Sequence, residues 1–461
     1  MAKPKVIYQC SNCGQQSPKW AGRCSECGHW NSFEEFREPS ASASVKARTS
    51  VNQPVILSQI DTGDESRLHT GIAELDRVLG GGMVPASVIL IAGDPGIGKS
   101  TLLLQMAASL HRQQNSVLYI SGEESLRQIR GRAERLGIGD LQLPLMAETE
   151  LENILYQIEQ LTPRVVIVDS IQSIYSRQAG GAPGNMSQVR DCTAALFRAA
   201  KENNWSLFIV GHITKEGGIA GPKLLEHTVD VVIYFEGDNL NRYRILRSIK
   251  NRFGATREIG LFTMEANGLN GVENPSGIFL SGNKVPQSGS CVICSFEGTR
   301  PILAEVQALV SRSNYGMPQR TVSGFDQKRL ALLLAILEKY GSVNFGYSDV
   351  FVKIAGGLRV NDPGIDLGVA MAVYSSLNNV LLQPDAIYIG EIGLNGDIRP
   401  VPQIERRIEE SIKLGFRQLY IPPLEKEGSV SRKAGIKLIQ HHHLSEMINN
   451  AAHPAGAQKG N

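Results

Sequence analysis

The residue pattern best suited to chemistry is a glycine-rich run that ends in a lysine and a serine. It consists of Gly93, Asp94, Pro95, Gly96, Ile97, Gly98, Lys99, Ser100 and Thr101, between the apolar run 88–92 and an apolar helical pattern. Glycines let backbone N–H groups wrap phosphate oxygens, and the helix N-terminus adds its dipole. Strand, loop and helix in this order are the context of a Walker A motif. The run predicts an ATP site in which Lys99 reaches the β- and γ-phosphates and Ser100 ligates Mg²⁺.

Polar residues end three further apolar, strand-like runs. Glu123 and Glu124 follow "SVLYISG", Asp169 ends "RVVIVD", and His212 ends "SLFIVGH". In open α/β sheets ligands bind beyond the carboxyl ends of the strands, so these side chains should meet near the phosphates. We expect Asp169 to hold Mg²⁺ through water, and Glu123 or Glu124 to polarise the attacking water. His212 either senses the γ-phosphate or is a plain loop-facing histidine.

The elements that must position these residues alternate between strand and helix from about residue 70 to 235. Such alternation predicts a mostly parallel sheet covered by helices. Strand-like runs at 229–236, 242–250 and 257–265 follow directly. They predict a hairpin-rich extension of the same sheet.

Four of the seven cysteines form two CxxC pairs near the N-terminus. Cys10 and Cys13 make one pair, and Cys24 and Cys27 make the other, with ten residues between them. Two such turns close a tetrahedral site, and four thiolates leave no open position, so the pattern predicts a structural Zn²⁺. Incidental cysteines and a redox pair are the alternatives. The three remaining cysteines, Cys192, Cys291 and Cys294, lie in apolar patterns and are expected to be buried thiols.

Composition limits the class of protein. The chain has 461 residues, a hydrophobic content of 42% and a net charge of +2, so any nucleic-acid site must be a local patch. No apolar stretch reaches the length of a membrane span, and the N-terminus lacks the apolar core of a signal peptide. These features favour a cytoplasmic protein. Residues 37–55 are rich in Ser, Ala and Pro and are typical of a linker.

The order of these motifs, followed by "KNRFG" at 250–254, resembles the bacterial RadA (Sms) family of DNA repair ATPases over nearly the whole chain. The core of that family is similar to RecA and to ring-forming replicative helicases. The resemblance implies a DNA-dependent ATPase of recombinational repair. It would form a ring, with a hexamer expected, and drive branch migration on single-stranded and branched DNA alongside the RecA recombinase.

The resemblance also implies two loops that contact DNA and a cationic finger. The matching loops, 171–190 and 213–227, carry Arg177, Arg190, Lys215 and Lys223. The finger residues are Lys250 and Arg252, which would meet the nucleotide of a neighbouring subunit. From Arg242 to Arg257 the chain has six Lys or Arg and no Asp or Glu, so a DNA-binding strip is the alternative.

The C-terminal third resembles the protease domain of Lon. The positions that match its catalytic serine and lysine are Asp366 and Glu405, and neither can supply a nucleophile or its activator. We therefore expect a retained fold without proteolysis. The expected remaining uses of this domain are subunit assembly and an added basic surface, for which Lys353 and Arg359 are candidate contacts, with a solvated face as the alternative.

These interpretations combine into one architecture. We expect an α/β protein with a RecA-like P-loop NTPase core, a small N-terminal four-cysteine zinc module and an α+β Lon-protease-like domain. The expected boundaries are 1–36 for the zinc module, 37–66 for the linker, 67–270 for the ATPase domain, 271–455 for the Lon-like domain and 456–461 for a tail. Two other classes stay open, an ATP-dependent protease and a RecA-like signalling ATPase or kinase without a DNA role.

Overall fold

The computed structural model describes residues 6–10, 15–26, 28–37, 56, 58, 66–180, 182–212, 225–237, 243–256, 258–272, 274, 276–280, 287–313, 317–424 and 436–452. The chain divides into two compact units. One comprises 1–236, 246–256 and 264–270, and the other comprises 237–245, 257–263 and 271–461.

The N-terminal module is a three-stranded antiparallel sheet. Its strands are β1 (Val6–Cys10), β2 (Gln16–Ser17) and β3 (Phe33–Arg37), in the order β2-β1-β3. Cys10 lies opposite Phe33 across β1 and β3, and both are buried together with Cys24. Among the described residues of the module only three apolar side chains are buried together, which is too little apolar burial to stabilise these strands alone.

The region that contains the glycine-rich loop alternates strands and helices, as expected. Its helices are α1 (Ala73–Leu79), α2 (Lys99–Arg112), α3 (Leu126–Arg135), α4 (Leu151–Leu161) and α5 (Met186–Glu202). Its strands are β4 (Val88–Gly93), β5 (Val117–Ser121), β6 (Leu145–Ala147), β7 (Val165–Asp169), β8 (Ser206–His212), β9 (Val231–Gly237), β10 (Tyr243–Asn251), β11 (Ile259–Glu265) and β12 (Gly268–Gly271).

Strands β4 to β12 form one sheet, in the order β12-β11-β10-β9-β4-β8-β7-β5-β6. The strands from β9 to β6 in that order pair in parallel, which confirms the mostly parallel sheet. Strands β4, β5 and β7 are buried along their whole length, as strands covered by helices on both faces must be. Their Val, Ile and Leu residues supply the apolar surface for that burial.

The parallel register brings the polar strand ends to one edge of the sheet. Gly93 pairs with His212 across β4 and β8, and Ser121 pairs with Asp169 across β5 and β7. The sequence predicted this convergence from the rule that carboxyl ends of parallel strands share an edge.

The second unit is also mixed α and β. Its helices are α6 (Ser276–Phe279), α7 (Gln327–Tyr340), α8 (Asp366–Asn378), α9 (Ile404–Lys413) and α10 (Leu444–Ala452). Its strands are β13 (Ser290–Glu297), β14 (Arg300–Arg312), β15 (Arg320–Ser323), β16 (Ser348–Ile354), β17 (Ala386–Tyr388), β18 (Glu391–Ile392), β19 (Ile398–Arg399), β20 (Gln418–Ile421) and β21 (Lys437–Gln440).

Seven of these strands form a sheet in the order β15-β16-β14-β13-β17-β20-β21. Helix α8 is apolar on almost every side and is buried from Asp366 to Ser375 in the core of the unit. Arg407 on α9 is 2% exposed and pairs with Asp362 at 2.7 Å. Because a buried cation without a partner is costly, this pair ties α9 to the turn that precedes α8.

The three cysteines outside the CxxC pairs are buried, as predicted. Cys192 lies on α5, and Cys291 and Cys294 lie on β13. Burial raises the pKa of Cys192 and Cys294 to about 12, and burial also raises the pKa of Cys291. These thiols are therefore unreactive at neutral pH.

Candidate active site

The glycine-rich loop joins the buried strand β4 to helix α2. Gly98 caps the helix with a left-handed φ of 119°, a conformation that glycine adopts without strain. A β-carbon at Gly93 would lie 2.4 Å from the backbone oxygen of Phe235, so this position has no room for a side chain. The loop is thus shaped to leave the first N–H groups of α2 available for an anion.

Lys99 is the first residue of α2 and its side chain turns back into the loop. Its Nζ donates to the backbone oxygens of Gly93, at 2.8 Å, and Asp94, at 2.9 Å. The residue is only 3% exposed. Burial lowers the pKa of Lys99, and the carboxylates of Asp169 and Glu123 oppose this shift. The ammonium is therefore held inside the loop that is shaped for phosphate.

Asp169 at the end of β7 has a partner that the sequence analysis missed. The hydroxyl of Tyr119, on β5, donates to Asp169 Oδ2 at 2.6 Å, and both residues are buried. Burial and the neighbouring carboxylate raise the pKa of Tyr119 well above its usual range, so it remains a hydrogen-bond donor. The signal was the tyrosine within the apolar run "VLYIS", because a buried hydroxyl needs a partner.

Glu123 is the second acid at this edge of the sheet. It accepts a hydrogen bond from the Ser170 hydroxyl, and His212 Nε2 lies 3.5 Å from its Oε1. Contact with His212, supported by Ser170, lowers the pKa of Glu123 to about 2 despite partial burial. Neither ring nitrogen of His212 has a hydrogen-bond partner among the described residues. Ser170 was not anticipated from the sequence.

Glu124 is directed elsewhere. Its Oε1 lies 2.5 Å from Arg132 Nη2 on helix α3, and its backbone forms a tight turn with Ser121. The sequence left open whether Glu123 or Glu124 faces the phosphates. The contacts with Ser170 and His212 favour Glu123.

The KNRFG cluster, defined as residues 250–254, lies at the opposite edge of the sheet. Lys250 Nζ donates to the backbone oxygens of Glu226, at 2.6 Å, and Val229, at 2.8 Å. Arg252 is 3.5 Å from the buried carboxylate of Asp230, whose other oxygen accepts from the N–H of Val88, the first residue of β4. The cluster is therefore near the start of the strand whose end carries the phosphate loop.

The cluster is held in place mainly by backbone contacts. Asn251 donates to the backbone oxygen of Leu79 at 3.2 Å, and Arg67 donates to that of Phe253 at 2.5 Å. Burial and the like charge of Arg252 lower the pKa of Lys250. Arg252 itself remains 56% exposed at its side chain.

The described part of the structure does not bring together the four residues that were expected to contact DNA. Arg177 pairs with Glu150 at 2.6 Å, and Arg190 pairs with its neighbour Asp191 at 3.2 Å. Lys215 and Lys223 lie outside the described residues.

In the N-terminal module Cys10 and Cys24 share one small core, whereas Cys13 and Cys27 lie outside the described residues.

The second unit contains a cleft lined by Asp366, one of the two expected protease positions, whereas Glu405, the other, is not among its lining residues. Its volume is about 470 Å³, and Asp366, Arg329, Leu332 and Arg399 are among its lining residues. Asp366 is buried at the start of α8 and lies 2.6 Å from Arg329 Nε. Burial raises the pKa of Asp366, and the arginine opposes this shift. Glu405 is exposed on α9, and Lys353 and Arg359 are exposed as well.

Comparison with known proteins now relates these sites to a family. Residues 57–218 match the AAA domain, residues 8–35 match the rubredoxin metal binding domain, and residues 307–425 match subunit ChlI of Mg-chelatase. DNA repair protein RadA of Bacillus subtilis (strain 168) is 46% identical over 453 residues, which cover 97% of this chain and 99% of the relative.

This chain belongs to the RadA family of DNA repair proteins. The RadA protein of Listeria monocytogenes is 45% identical, covering 98% of this chain and 99% of its own length. That of Streptococcus pyogenes serotype M1 is 46% identical, with coverages of 97% and 99%. The family resemblance drawn from the motifs is therefore confirmed.

The three matches also confirm the predicted fold class. An AAA domain contains the phosphate loop, a zinc ribbon lies at the N-terminus, and a Lon-like domain lies towards the C-terminus. The RadA-family protein is accordingly an ATPase, and nucleotide and zinc are the ligands that these domains indicate. Within the part of the chain that the structure describes, no helix has the length and hydropathy needed to cross a bilayer.

Proposed function

We propose that this RadA-family protein is a cytoplasmic, DNA-dependent ATPase that works as a hexameric ring. Its role is to drive branch migration of recombination intermediates beside the RecA recombinase. The observation that carries the proposal is the separation of the KNRFG cluster from the phosphate loop of its own chain.

That separation is the length of a strand. Arg252 and Asp230 adjoin Val88 at the start of β4, and the loop begins at Gly93 at its end. Six residues of a parallel strand span roughly 17–20 Å, which one arginine side chain does not bridge. Lys250 and Arg252 therefore have no access to their own phosphates, and a neighbouring subunit's nucleotide is the fitting target. A cation supplied in trans raises phosphoryl transfer by roughly 10³–10⁵-fold.

The chemistry at the phosphate loop follows from the charges that surround it. Lys99 and the N–H groups of α2 stabilise charge on the transferring phosphate. The oxygen donors of Ser100 and Asp169 would hold Mg²⁺, which neutralises phosphate charge when it is bound. Asp169 suits this role because Tyr119 fixes one of its oxygens and is itself neutral.

Glu123 is the residue that we assign to the attacking water. Its lowered pKa makes it an ionised acceptor at neutral pH but a weak base. It therefore orients and polarises water rather than removing its proton outright. Next to it at the end of β8, His212 Nε2 lies 3.5 Å from Glu123, and its Nδ1 has no hydrogen-bond partner among the described residues, which suits a sensor of the γ-phosphate.

Single-stranded and branched DNA are the proposed substrates of the motor, with Arg177, Arg190, Lys215 and Lys223 as contacts. Arg177 is 72% exposed in its pair with Glu150. Glu150 itself is only 8% exposed, so breaking the pair would leave a buried carboxylate without its cation, and a DNA phosphate has to approach the exposed part of the guanidinium while the pair stays intact.

The direct test measures ATP turnover with and without single-stranded DNA over a range of salt concentrations. We expect stimulation that weakens steeply as salt rises, because counterion release drives the association. If the rate of ATP turnover is the same with and without DNA at every salt concentration, a signalling ATPase or kinase would be favoured instead.

We assign Zn²⁺ to Cys10, Cys13, Cys24 and Cys27. The burial of Cys10 and Cys24 in one small core supports this ligand set. Since four thiolates close a tetrahedral site, the metal stabilises the module and takes no part in hydrolysis.

Proteolysis does not fit the cleft in the Lon-like domain. Asp366 occupies the nucleophile position, and its carboxylate is engaged by Arg329. We expect no cleavage of unfolded protein with ATP and Mg²⁺. ATP-dependent peptide release that disappears in Asp366→Ala would overturn this assignment.

A further inference from the structure

Two tryptophans on the zinc module are largely exposed. The chain has three tryptophans, and Trp205 is only 3% exposed. By contrast Trp20 is 55% exposed and Trp30 is 70% exposed. Large aromatic side chains contribute most when they are buried, so two exposed indoles on one small module indicate a surface for a ligand.

The backbone holds both rings close together. The N–H of Asn31 donates to Gly22 at 2.8 Å, and the N–H of Cys24 donates to His29 at 2.9 Å, which closes a hairpin. A β-carbon at Gly22 would lie 3.8 Å from Trp20 Cη2 and 4.0 Å from Trp30 Cζ3. The six-membered rings of both indoles therefore border the same residue, which has no side chain of its own.

Cations flank the two rings. Arg23 is paired with Trp30 across the hairpin, and its guanidinium lies 5.7 Å from the centre of the Trp30 ring. Its Nε donates to the backbone oxygen of Gly28 at 3.0 Å, which fixes the side chain. Lys19 is exposed beside Trp20, and Glu26 is an exposed acid in the intervening turn.

We propose that Lys19, Trp20, Arg23 and Trp30 form a stacking platform for single-stranded DNA. Flat aromatic rings accept the face of any base, and nearby cations attract the phosphates, which is the usual design of sequence-independent single-strand binding. Duplex DNA does not fit this platform because its bases are already stacked on one another. The platform rests on the proposed DNA-dependent function and adds a second contact region to the ATPase loops.

The tryptophan content of the chain supplies the experiment. Intrinsic tryptophan fluorescence of the zinc-loaded, full-length protein is recorded while oligothymidine is added, and anisotropy of a labelled oligothymidine is recorded in parallel. Since Trp205 is buried, we expect quenching that comes from Trp20 and Trp30. An abasic strand of equal length should bind through its phosphates but give little quenching.

Substitutions separate stacking from general binding. Alanine at a stacking position costs about 1–3 kcal/mol per base. We therefore expect Trp20→Ala and Trp30→Ala to weaken oligothymidine binding at least about five-fold, with the zinc content unchanged. Trp30→Phe should recover much of the affinity, because phenylalanine also stacks. Trp205→Phe is the matched control and should retain both affinity and quenching.

Each other outcome overturns the platform in a defined way. If labelled DNA binds while the fluorescence and the affinities of both alanine variants stay at wild-type values, the DNA function stands and the platform is wrong. If no labelled DNA binds at all, the DNA function itself is wrong. If iodide cannot quench Trp20 and Trp30 in the free protein, self-association covers them. Quenching by a protein partner but not by DNA would make this a protein-binding surface.

Discussion

The hydrogen bond from Tyr119 to Asp169 yields a specific prediction for Tyr119→Phe. This substitution removes one hydroxyl and keeps the ring that fills the core beneath the strand ends. The backbone of Asp169 stays in strand β7, between β5 and β8. What changes is the orientation and charge stabilisation of its carboxylate, on which we expect Mg²⁺ to depend.

The magnitude follows from the type of hydrogen bond that is lost. Tyr119 donates at 2.6 Å to a buried carboxylate, and hydrogen bonds to charged groups contribute about 1.5–3 kcal/mol. With about 1.4 kcal/mol for each factor of ten, this corresponds to roughly ten- to hundred-fold. Loss of an outer-shell partner lowers metal affinity by about the same factor. We expect the Mg²⁺ concentration that gives half-maximal ATP turnover to rise about ten-fold.

The assay is ATP turnover as a function of Mg²⁺, alongside binding of nucleotide without metal. Tyr234→Phe is the matched control, because Tyr234 lies in the same sheet and its hydroxyl donates at 3.0 Å to Glu226, a carboxylate that is not expected to hold Mg²⁺. Both variants should lose about 1.5–3 kcal/mol of unfolding free energy, because each hydroxyl donates to a carboxylate, whereas only Tyr119→Phe should shift the Mg²⁺ dependence. An unchanged Mg²⁺ profile in Tyr119→Phe would refute the positioning role.

Four further predictions concern Glu123, the Arg407–Asp362 pair and the zinc module. Glu123→Gln should lower ATP turnover about 10²–10⁴-fold while ATP still binds, and Glu124→Gln should lower it much less; equal losses would contradict the assignment of the water to Glu123. The pKa of Glu123 is lowered from 4.5 to about 2, so its contribution to stability is fully present above pH 4.5 and should be lost only as the pH falls towards 2. Acid unfolding of the wild-type protein, compared with that of Glu123→Gln, would measure this contribution. Asp362→Ala should destabilise the second unit by about 3–5 kcal/mol in denaturant unfolding, because it leaves the cation of Arg407 buried without its partner. Asp397→Ala removes a more exposed pair and should cost under about 1 kcal/mol. Similar losses in the two variants would contradict this reasoning. Elemental analysis should find about one zinc per chain, and Cys27→Ser should unfold the N-terminal module but spare nucleotide binding; metal-free protein prepared without chelator would exclude the site.

Local patterns were sufficient to predict the phosphate loop and the sheet around it. An apolar strand, glycines and a lysine at a helix start all lie within fourteen consecutive residues, from Val88 to Thr101, so their geometry depends on neighbours in the chain. The meeting of Asp169 and His212 at the same edge was also predictable. It follows from the shared direction of parallel strands.

Contacts between distant residues were not predictable in the same way. Tyr119 meets Asp169 because β5 pairs with β7, and Arg329 meets Asp366 because α7 lies against α8. Each pairing depends on strand order or helix packing, which periodicity does not encode. The choice between Glu123 and Glu124 likewise depended on a contact between distant residues, because Arg132 on α3 pairs with Glu124 and directs it away from the phosphate loop.

The KNRFG cluster shows the same limit. Its charges and its asparagine were visible in the sequence, but the edge of the sheet at which it lies was not. The contacts of Lys250 and Arg252 near the start of β4 show that the cluster lies at the end of this strand opposite to the phosphate loop of the same chain. That separation is the physical basis for a role in trans.

Mixing two inactive variants tests the in-trans role most directly. Lys99→Ala chains lack their phosphate lysine but offer an intact KNRFG cluster, and Arg252→Ala chains have an intact phosphate loop but no finger. Some interfaces in a mixed ring pair a complete loop with a complete cluster. ATP turnover of the mixture should therefore be well above the turnover of either variant alone. Mixed rings that form, as seen by co-purification of differently tagged chains, and yet show no recovery of turnover would contradict the account, and a DNA-contact role for Lys250 and Arg252 would replace it.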